Sequence, residues 1–150
     1  MIVDTSILVA LLLREPDAPV LTRLMATAPT RRLSSASYLE IAAVVDGRRD
    51  PVLSNAIDPS IRASHIEVVP FTVEQARIAR VAYQHFGRGS GHPAQLNMGD
   101  CFSYALARDL GEPLLFKGGD FSLTDIELVV EPIRSKRLSE VVAAYMAEVR

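Results

Sequence analysis

The 150-residue sequence predicts a three-layer α/β/α domain around a central, mostly parallel sheet. Two observations predict it. Short apolar segments alternate with helix-length amphipathic ones along the whole chain, and parallel strands need such crossovers between them. The composition, 49% hydrophobic and 23% charged, is that of a globular chain and not of a disordered one. A chain this long buries about 68–70% of its unfolded surface, so one domain over residues 1–150 is expected, without disulfides or a structural metal.

Ile2-Val3 opens as a strand that stops at Asp4-Thr5-Ser6, and Ile7 to Leu13 continues as a helix. Glu15-Pro16-Asp17 breaks it, Pro19 to Ala28 forms a short amphipathic helix, and Arg31 to Ser34 is a second strand. Ser35 to Val45 reads as a helix apolar over most of its surface, interrupted by Glu40 and ended by Asp50-Pro51. Asp58-Pro59 offers an N-cap with proline in the first helical position, so a further short helix is expected there. Ile66 to Phe71 is a strand, and Thr72 with Gln75 has the spacing of a capping box opening a helix over Val73 to Phe86. Gly87 to Gly99 has no hydrophobic period and reads as a flexible surface loop. Asp100 to Leu110 is helical, with Gly111 as its stop. Pro113 to Phe116 is a buried strand, Lys117-Gly118-Gly119-Asp120 a turn, Glu127 to Val130 another strand, and Leu138 to Val149 an amphipathic helix.

The longest apolar runs, Ile7 to Leu13 and Val141 to Ala147, fall far short of the ~20 residues of a membrane helix. No basic region precedes Ile7, so a secretory signal is not expected and the protein is read as soluble and cytoplasmic. The lone Cys101 excludes an internal disulfide framework and a multi-cysteine zinc site, and reads as a small buried hydrophobe. A formal charge of −2 argues against generic coating of DNA, but leaves room for a basic groove around an acidic centre. Fourteen of the sixteen cations are Arg, and the pairs Arg31/Arg32 and Arg48/Arg49 each read as solvated surface when taken alone.

In an open parallel sheet, ligands bind beyond the carboxyl ends of the strands. Asp4 and Asp120 follow strands, and Glu40 and Asp100 sit near helix starts that approach the same edge. Each acid has an ordinary explanation. Asp4 could cap the helix that follows it, or Ser6 could do so and free Asp4. Glu40 stands at capping-box spacing from Ser37, although a carboxylate among Tyr38, Leu39 and Ile41 needs a compensating partner. Asp100 suits the positive end of a helix capped by Asn97, and Asp120 and Asp125 suit turns. Chance capping does not require four elements to deliver carboxylates to one edge. Gathered there, like charges raise one another's pKa and stay ionised only beside cations. Oxygen ligands of this kind suit Mg²⁺ or Mn²⁺, which activate water and clamp a phosphodiester. The chemistry expected is that of a nuclease or another phosphoryl hydrolase.

His65, His85 and His92 show no metal-ligand spacing and read as surface residues, His92 being the one best placed to meet a substrate. No Gly-x-Ser-x-Gly elbow occurs, and Gly87-Arg88-Gly89-Ser90-Gly91 lacks the ending of a P-loop.

Four segments together resemble the PIN-domain toxins of bacterial VapBC toxin–antitoxin systems: Met1 to Ser6 with the first acid, Ser34 to Val45 with Glu40, Leu96-Asn97-Met98-Gly99-Asp100-Cys101, and Leu114 to Asp125 with Asp120. The likeness covers roughly residues 1 to 130 in unbroken order. It implies a PIN-like α/β/α fold and an Mg²⁺- or Mn²⁺-dependent endoribonuclease that cuts structured RNA. Asp4, Glu40, Asp100 and Asp120 would hold metal and carry catalysis. Thr5 or Ser6 would orient the first acid, Asn97 would brace the loop before Asp100, and Thr124 with Asp125 would support the fourth acid. The resemblance also implies a homodimer, inhibited by a cognate VapB-type antitoxin in a heterotetramer or larger assembly, with no membrane partner.

Two other functions fit parts of the pattern. A phosphoaspartyl phosphatase or receiver-like domain also places an aspartate after a strand, with Lys117 as its cation, but needs a second acid where this chain has Ser6. A non-enzymatic binding module would use the acids only as caps and salt bridges.

Overall fold

A computed structural model describes residues 1–129. Four strands, β1 (Ile2–Val3), β2 (Arg31–Ser34), β3 (Ile66–Val69) and β4 (Leu114–Leu115), form an all-parallel sheet in the order β3-β2-β1-β4. Six helices connect them: α1 (Thr5–Leu12), α2 (Ala18–Ala26), α3 (Ser35–Gly47), α4 (Pro51–Ala63), α5 (Val73–Phe86) and α6 (Met98–Leu110).

The two-residue period of a strand builds the two outer layers. Val3 and Leu115 face one core with Ile7, Leu8, Leu21, Leu24, Ile41 and Ile61 of α1 to α4. Their neighbours Ile2 and Leu114 face the other, with Ala79, Ala82, Tyr104 and Leu106 of α5 and α6. All these strand residues are nearly inaccessible to solvent, so β1 and β4 are buried on both faces.

Four expectations change. First, Asp50, not Asp58, is the N-cap of α4: its Oδ1 accepts from the Val52 and Leu53 amides at 2.9 and 3.3 Å, with Pro51 in the first turn. Pro59 lies inside that helix, and Asp58 accepts from the Tyr38 hydroxyl at 3.0 Å. The two Asp-Pro pairs carry the same local signal, and packing on α1 and α3 selects the longer helix. Second, Arg31 and Arg32 are not free surface cations. Arg31 donates to the carbonyls of Met25, Ala28 and Ser64, and Arg32 pairs with Glu112 and Glu67. Third, the glycine-bearing loop is closed at its base. The Arg88 amide donates to Leu96 O at 3.0 Å, Leu96 N donates to Phe86 O at 2.9 Å, and Ala94 and Leu96 are buried in the second core. His92 serves this closure: its Nδ1 accepts from the Ala94 amide, and its ring lies edge-on to Phe86. Fourth, the chain after Ile126 makes a single parallel bridge, Leu128 to Leu114, within the described residues. Val130 and the expected helix from Leu138 to Val149 lie outside them.

Candidate active site

Helix α1 begins one residue after β1, at Thr5, which leaves no intervening turn. Asp4 is therefore its N-cap: Oδ2 accepts from the Ser6 amide at 3.0 Å. Its other oxygen accepts from the Ser103 hydroxyl of α6 at 2.6 Å, and Asp4 is buried. Capping and membership of the site are thus compatible, because one carboxylate has two oxygens. The Ser6 side chain does something else. Its Oγ accepts from the Lys117 amide at 2.9 Å and ties the exit of β4 to α1.

Glu40 does not bond back to Ser37. Helix α3 starts earlier, capped by Ser34, so Ser37 is an interior helical residue and Glu40 lies in the second turn. The Thr5 hydroxyl donates to Glu40 Oε2 at 3.0 Å, so Thr5 orients the second acid and not the first. The half-buried Glu40 rests against the backbone of Gly99, where a Cβ would overlap its carboxylate.

Asp100 and Asn97 form a reciprocal capping box. Asn97 Oδ1 accepts from the Asp100 amide at 2.9 Å, and Asp100 Oδ2 accepts from the Asn97 amide at 2.7 Å. Burial pushes the Asp100 carboxyl up from 3.8 to about 6; the Asn97 bond opposes this, and the charges of Asp4, Asp120 and Glu40 add to it. Burial also raises Glu40, opposed by the Thr5 bond and aided by the charge of Asp4.

Asp120 is exposed and opens a 3₁₀ turn, Asp120–Leu123. That turn is anchored by the buried Phe121, whose ring lies edge-on to Phe116 at 5.1 Å, and by the Thr124 hydroxyl, which donates to Phe121 O at 2.7 Å. Asp125 does not support Asp120; it accepts from the Tyr104 hydroxyl at 2.7 Å and pairs with Arg108 at 3.3 Å, both on α6.

The charges of the other three acids, Asp4, Asp120 and Glu40, therefore act on Asp100 from separate elements, yet among the described residues no three His, Cys, Asp or Glu side chains stand as a closed ligand set. The donor set is all hard oxygen. Asp100 Oδ1 and Glu40 Oε1 accept no hydrogen bond from the described residues, so both remain available as ligands. These residues fit Mg²⁺ or Mn²⁺. Lys117, the nearest cation in sequence to Asp120, is held by Glu15 and by Asp17 at 3.1 Å. Ser103 and Gly99 are the two contributors that sequence reasoning missed. The one available signal was that Ser103 follows Asp100 by three residues on one helix face. Cys101 is buried, with its thiol pushed up to about 12 by burial, and is inert.

A parallel α/β/α sheet with acids at its carboxyl edge is one on which phosphoryl hydrolysis can be built. A family model, the PIN domain, matches residues 1–127, and the chain belongs to that family. It is 54% identical over 131 residues to Ribonuclease VapC28 of Mycobacterium tuberculosis, covering 87% of this chain and 98% of that one. It is 46% identical over 129 residues to Ribonuclease VapC of Mycolicibacterium smegmatis, covering 86% and 99%. Both alignments use nearly the whole relative and leave part of this chain over. Among solved structures, M. tuberculosis VapC20, described as a toxin cleaving the sarcin-ricin loop, aligns with TM-score 0.66 and 22% identity over 87% of this chain and 98% of its own. A toxin–antitoxin complex from Klebsiella pneumoniae gives TM-score 0.58 and 17% identity over 80% and 88%. At such identities the structural likenesses speak for the fold.

Proposed function

We propose that this chain is the ribonuclease toxin of a type II toxin–antitoxin system, an endoribonuclease that hydrolyses RNA phosphodiester bonds with Mg²⁺ or Mn²⁺ held by Asp4, Glu40, Asp100 and Asp120. The observation that carries the reading is the gathering of acids about the first turns of α6, which bears Asp100: Asp4 at the end of β1 accepts from Ser103, and Glu40 of α3 rests against Gly99. The ribonuclease names of relatives at 46–54% identity support RNA as the substrate, and the Klebsiella complex supports an antitoxin as the partner. We extend this to a homodimer inhibited by a VapB-type antitoxin.

A bound divalent ion supplies Lewis-acid activation of water and of the phosphodiester. The chain's own residues orient the acids: the Ser6 amide and Ser103 hydroxyl fix Asp4, Thr5 fixes Glu40, and the Asn97 amide fixes Asp100. The phosphoaspartyl alternative loses its cation, because Lys117 is committed to Glu15 and Asp17.

Asp4→Asn and Asp100→Asn are expected to stay folded and to lose RNA cleavage and growth toxicity, read by mapping new RNA 5′ ends after induction. Full cleavage by both variants would remove the assigned roles. Mn²⁺ at ~100 times its dissociation constant should stabilise the fold by about 2.7 kcal/mol. No thermal shift with either ion would favour the binding module.

A further inference from the structure

One lysine lies within reach of the acid site and is held away from it. Lys117 follows β4, and its amide donates at 2.9 Å to the Oγ of Ser6, whose own amide donates at 3.0 Å to Asp4 Oδ2. With standard bond lengths that path puts the Lys117 Cα at most ~11 Å from the Asp4 carboxylate, and an extended lysine carries its ammonium ~6 Å from its Cα. The ammonium can therefore come within ~5 Å of Asp4, a range at which opposite charges act strongly on one another. Asp120 lies three residues further along, across Gly118 and Gly119.

The ammonium pairs elsewhere, with Glu15 and with Asp17, the latter at 3.1 Å. These two acids sit on the turn between α1 and α2, on backbone that is itself pinned. The Glu15 amide donates to Ala10 O at 2.9 Å, and Asp17 O accepts from the Val20 and Leu21 amides at 3.0 Å. The Glu15 bond raises the Lys117 pKa above 10.5, burial opposing it and Asp17 adding to it, so the group stays cationic at neutral pH. Two carboxylates thus share one cation, while among the described residues no Lys or Arg pairs with Asp4, Glu40, Asp100 or Asp120. Attraction alone draws a nearby cation toward the larger group of acids. Glu15 and Asp17 compete with that pull.

We propose that Glu15 and Asp17 hold Lys117 off the acid site, so that the site keeps its negative charge for a divalent ion. A lysine turned in among the acids would pair with the carboxylates that the ion needs and compete with it. Glu15 and Asp17 touch neither metal nor substrate; they are positioning residues that act through Lys117. This rests on the reading of the acids as metal ligands given above.

The test is Mn²⁺ titration of the full-length chain, read by thermal shift in the absence of RNA. Four proteins are compared: wild type, Glu15→Gln with Asp17→Asn, Lys117→Met, and all three substitutions together. The double variant, which frees the ammonium, is expected to bind Mn²⁺ about 10-fold more weakly, an effect of the size that groups behind metal ligands commonly have. Lys117→Met alone should bind Mn²⁺ as wild type does. Added to the double variant it should restore affinity to within about twofold, a coupling that independent sites do not show. That rescue separates withholding from packing, because a turn distorted by the loss of its ion pairs stays distorted when the lysine is removed as well. An unchanged affinity in the double variant, or a triple variant as weak as the double, would overturn the proposal. So would a Lys117→Met chain that binds Mn²⁺ more weakly, which would make the lysine a support of the site. A wild-type chain that shows the loss and the rescue but cuts no RNA would keep the withholding role and lose the ribonuclease reading. A wild-type chain that binds no Mn²⁺ would remove both.

Discussion

Gly99→Ala separates the stability of this fold from the geometry of its site. Gly99 is the second residue of α6, and a Cβ there would overlap the Glu40 carboxylate. The obstructing atoms are the far end of a flexible side chain, so the backbone need not move. The carboxylate must retreat by ~1 Å or more, a displacement that can cost ~10²-fold in rate where positioning governs catalysis. Retreat also breaks the Thr5 bond to Glu40 Oε2, worth ~1.5–3 kcal/mol for a charged acceptor and less at this half-buried site. Alanine in place of glycine returns up to ~1 kcal/mol of helix propensity. The net change in stability is therefore about 1 kcal/mol, against a loss of two orders of magnitude in cleavage. Thermal melts, RNA cleavage and Mn²⁺ titration on one preparation decide it. A folded Gly99→Ala protein with wild-type turnover and unchanged Mn²⁺ affinity would refute the placement of Glu40 in the site.

Ser103→Ala removes the hydroxyl that donates to buried Asp4, and should cost ~1.5–3 kcal/mol, read as a lower Tm in metal-free buffer. The Asp100 carboxyl holds its proton to about pH 6 in the folded chain and releases it near 3.8 when unfolded, so between those values the native state binds more protons and stability falls as pH rises. The interval corresponds to ~3 kcal/mol, reduced to ~1–2 kcal/mol by screening at a partly open site. Metal-free melts from pH 4 to 6.5 should show the decline and Asp100→Asn should flatten it; a variant with the same slope as wild type would assign the effect elsewhere. Asp50→Ala should cost ~1 kcal/mol as the loss of a helix cap. Asp58→Ala, which loses only an exposed tyrosine bond, should cost less than half of that in denaturant titrations.

What was legible in the chain is what neighbours in sequence decide. The limits of β2 and α5, the Thr72 cap, the Asn97–Asp100 pair and the Gly111 stop, at φ +62°, all follow from residues within a turn of one another. What was not legible depends on partners far along the chain. Thr72 caps α5, but Gln75 sends its amide to Asp109 on α6 and does not complete the box. Arg31 looked solvated because its three carbonyl partners belong to other segments. Glu40 looked like half of a capping box because the start of α3 is set by Ser34 at the end of β2, three residues before Ser37. The positions of the acids could be inferred from spacing and strand ends, whereas the groups that aim them, Ser103 and Thr5, act across 99 and 35 residues.

The identity of those aiming groups bears on function more than the acids do. An acid kept for structure is commonly answered by a cation, as Glu112 is by Arg32 and Asp125 by Arg108. Asp4, Glu40 and Asp100 are answered instead by serine and threonine hydroxyls and by backbone amides. Such donors fix direction and leave the negative charge whole. Burying that charge uncompensated costs the fold stability, which the raised Asp100 and Glu40 carboxyls register. A purely structural cluster would gain by exchanging one hydroxyl for an arginine. Ser103 is buried and leaves no room for an arginine, so the volume-conserving exchange is Asp4→Asn, which should remove that charge and abolish Mn²⁺ binding. Cleavage surviving that exchange would mean that the charge of Asp4 is not what the site uses.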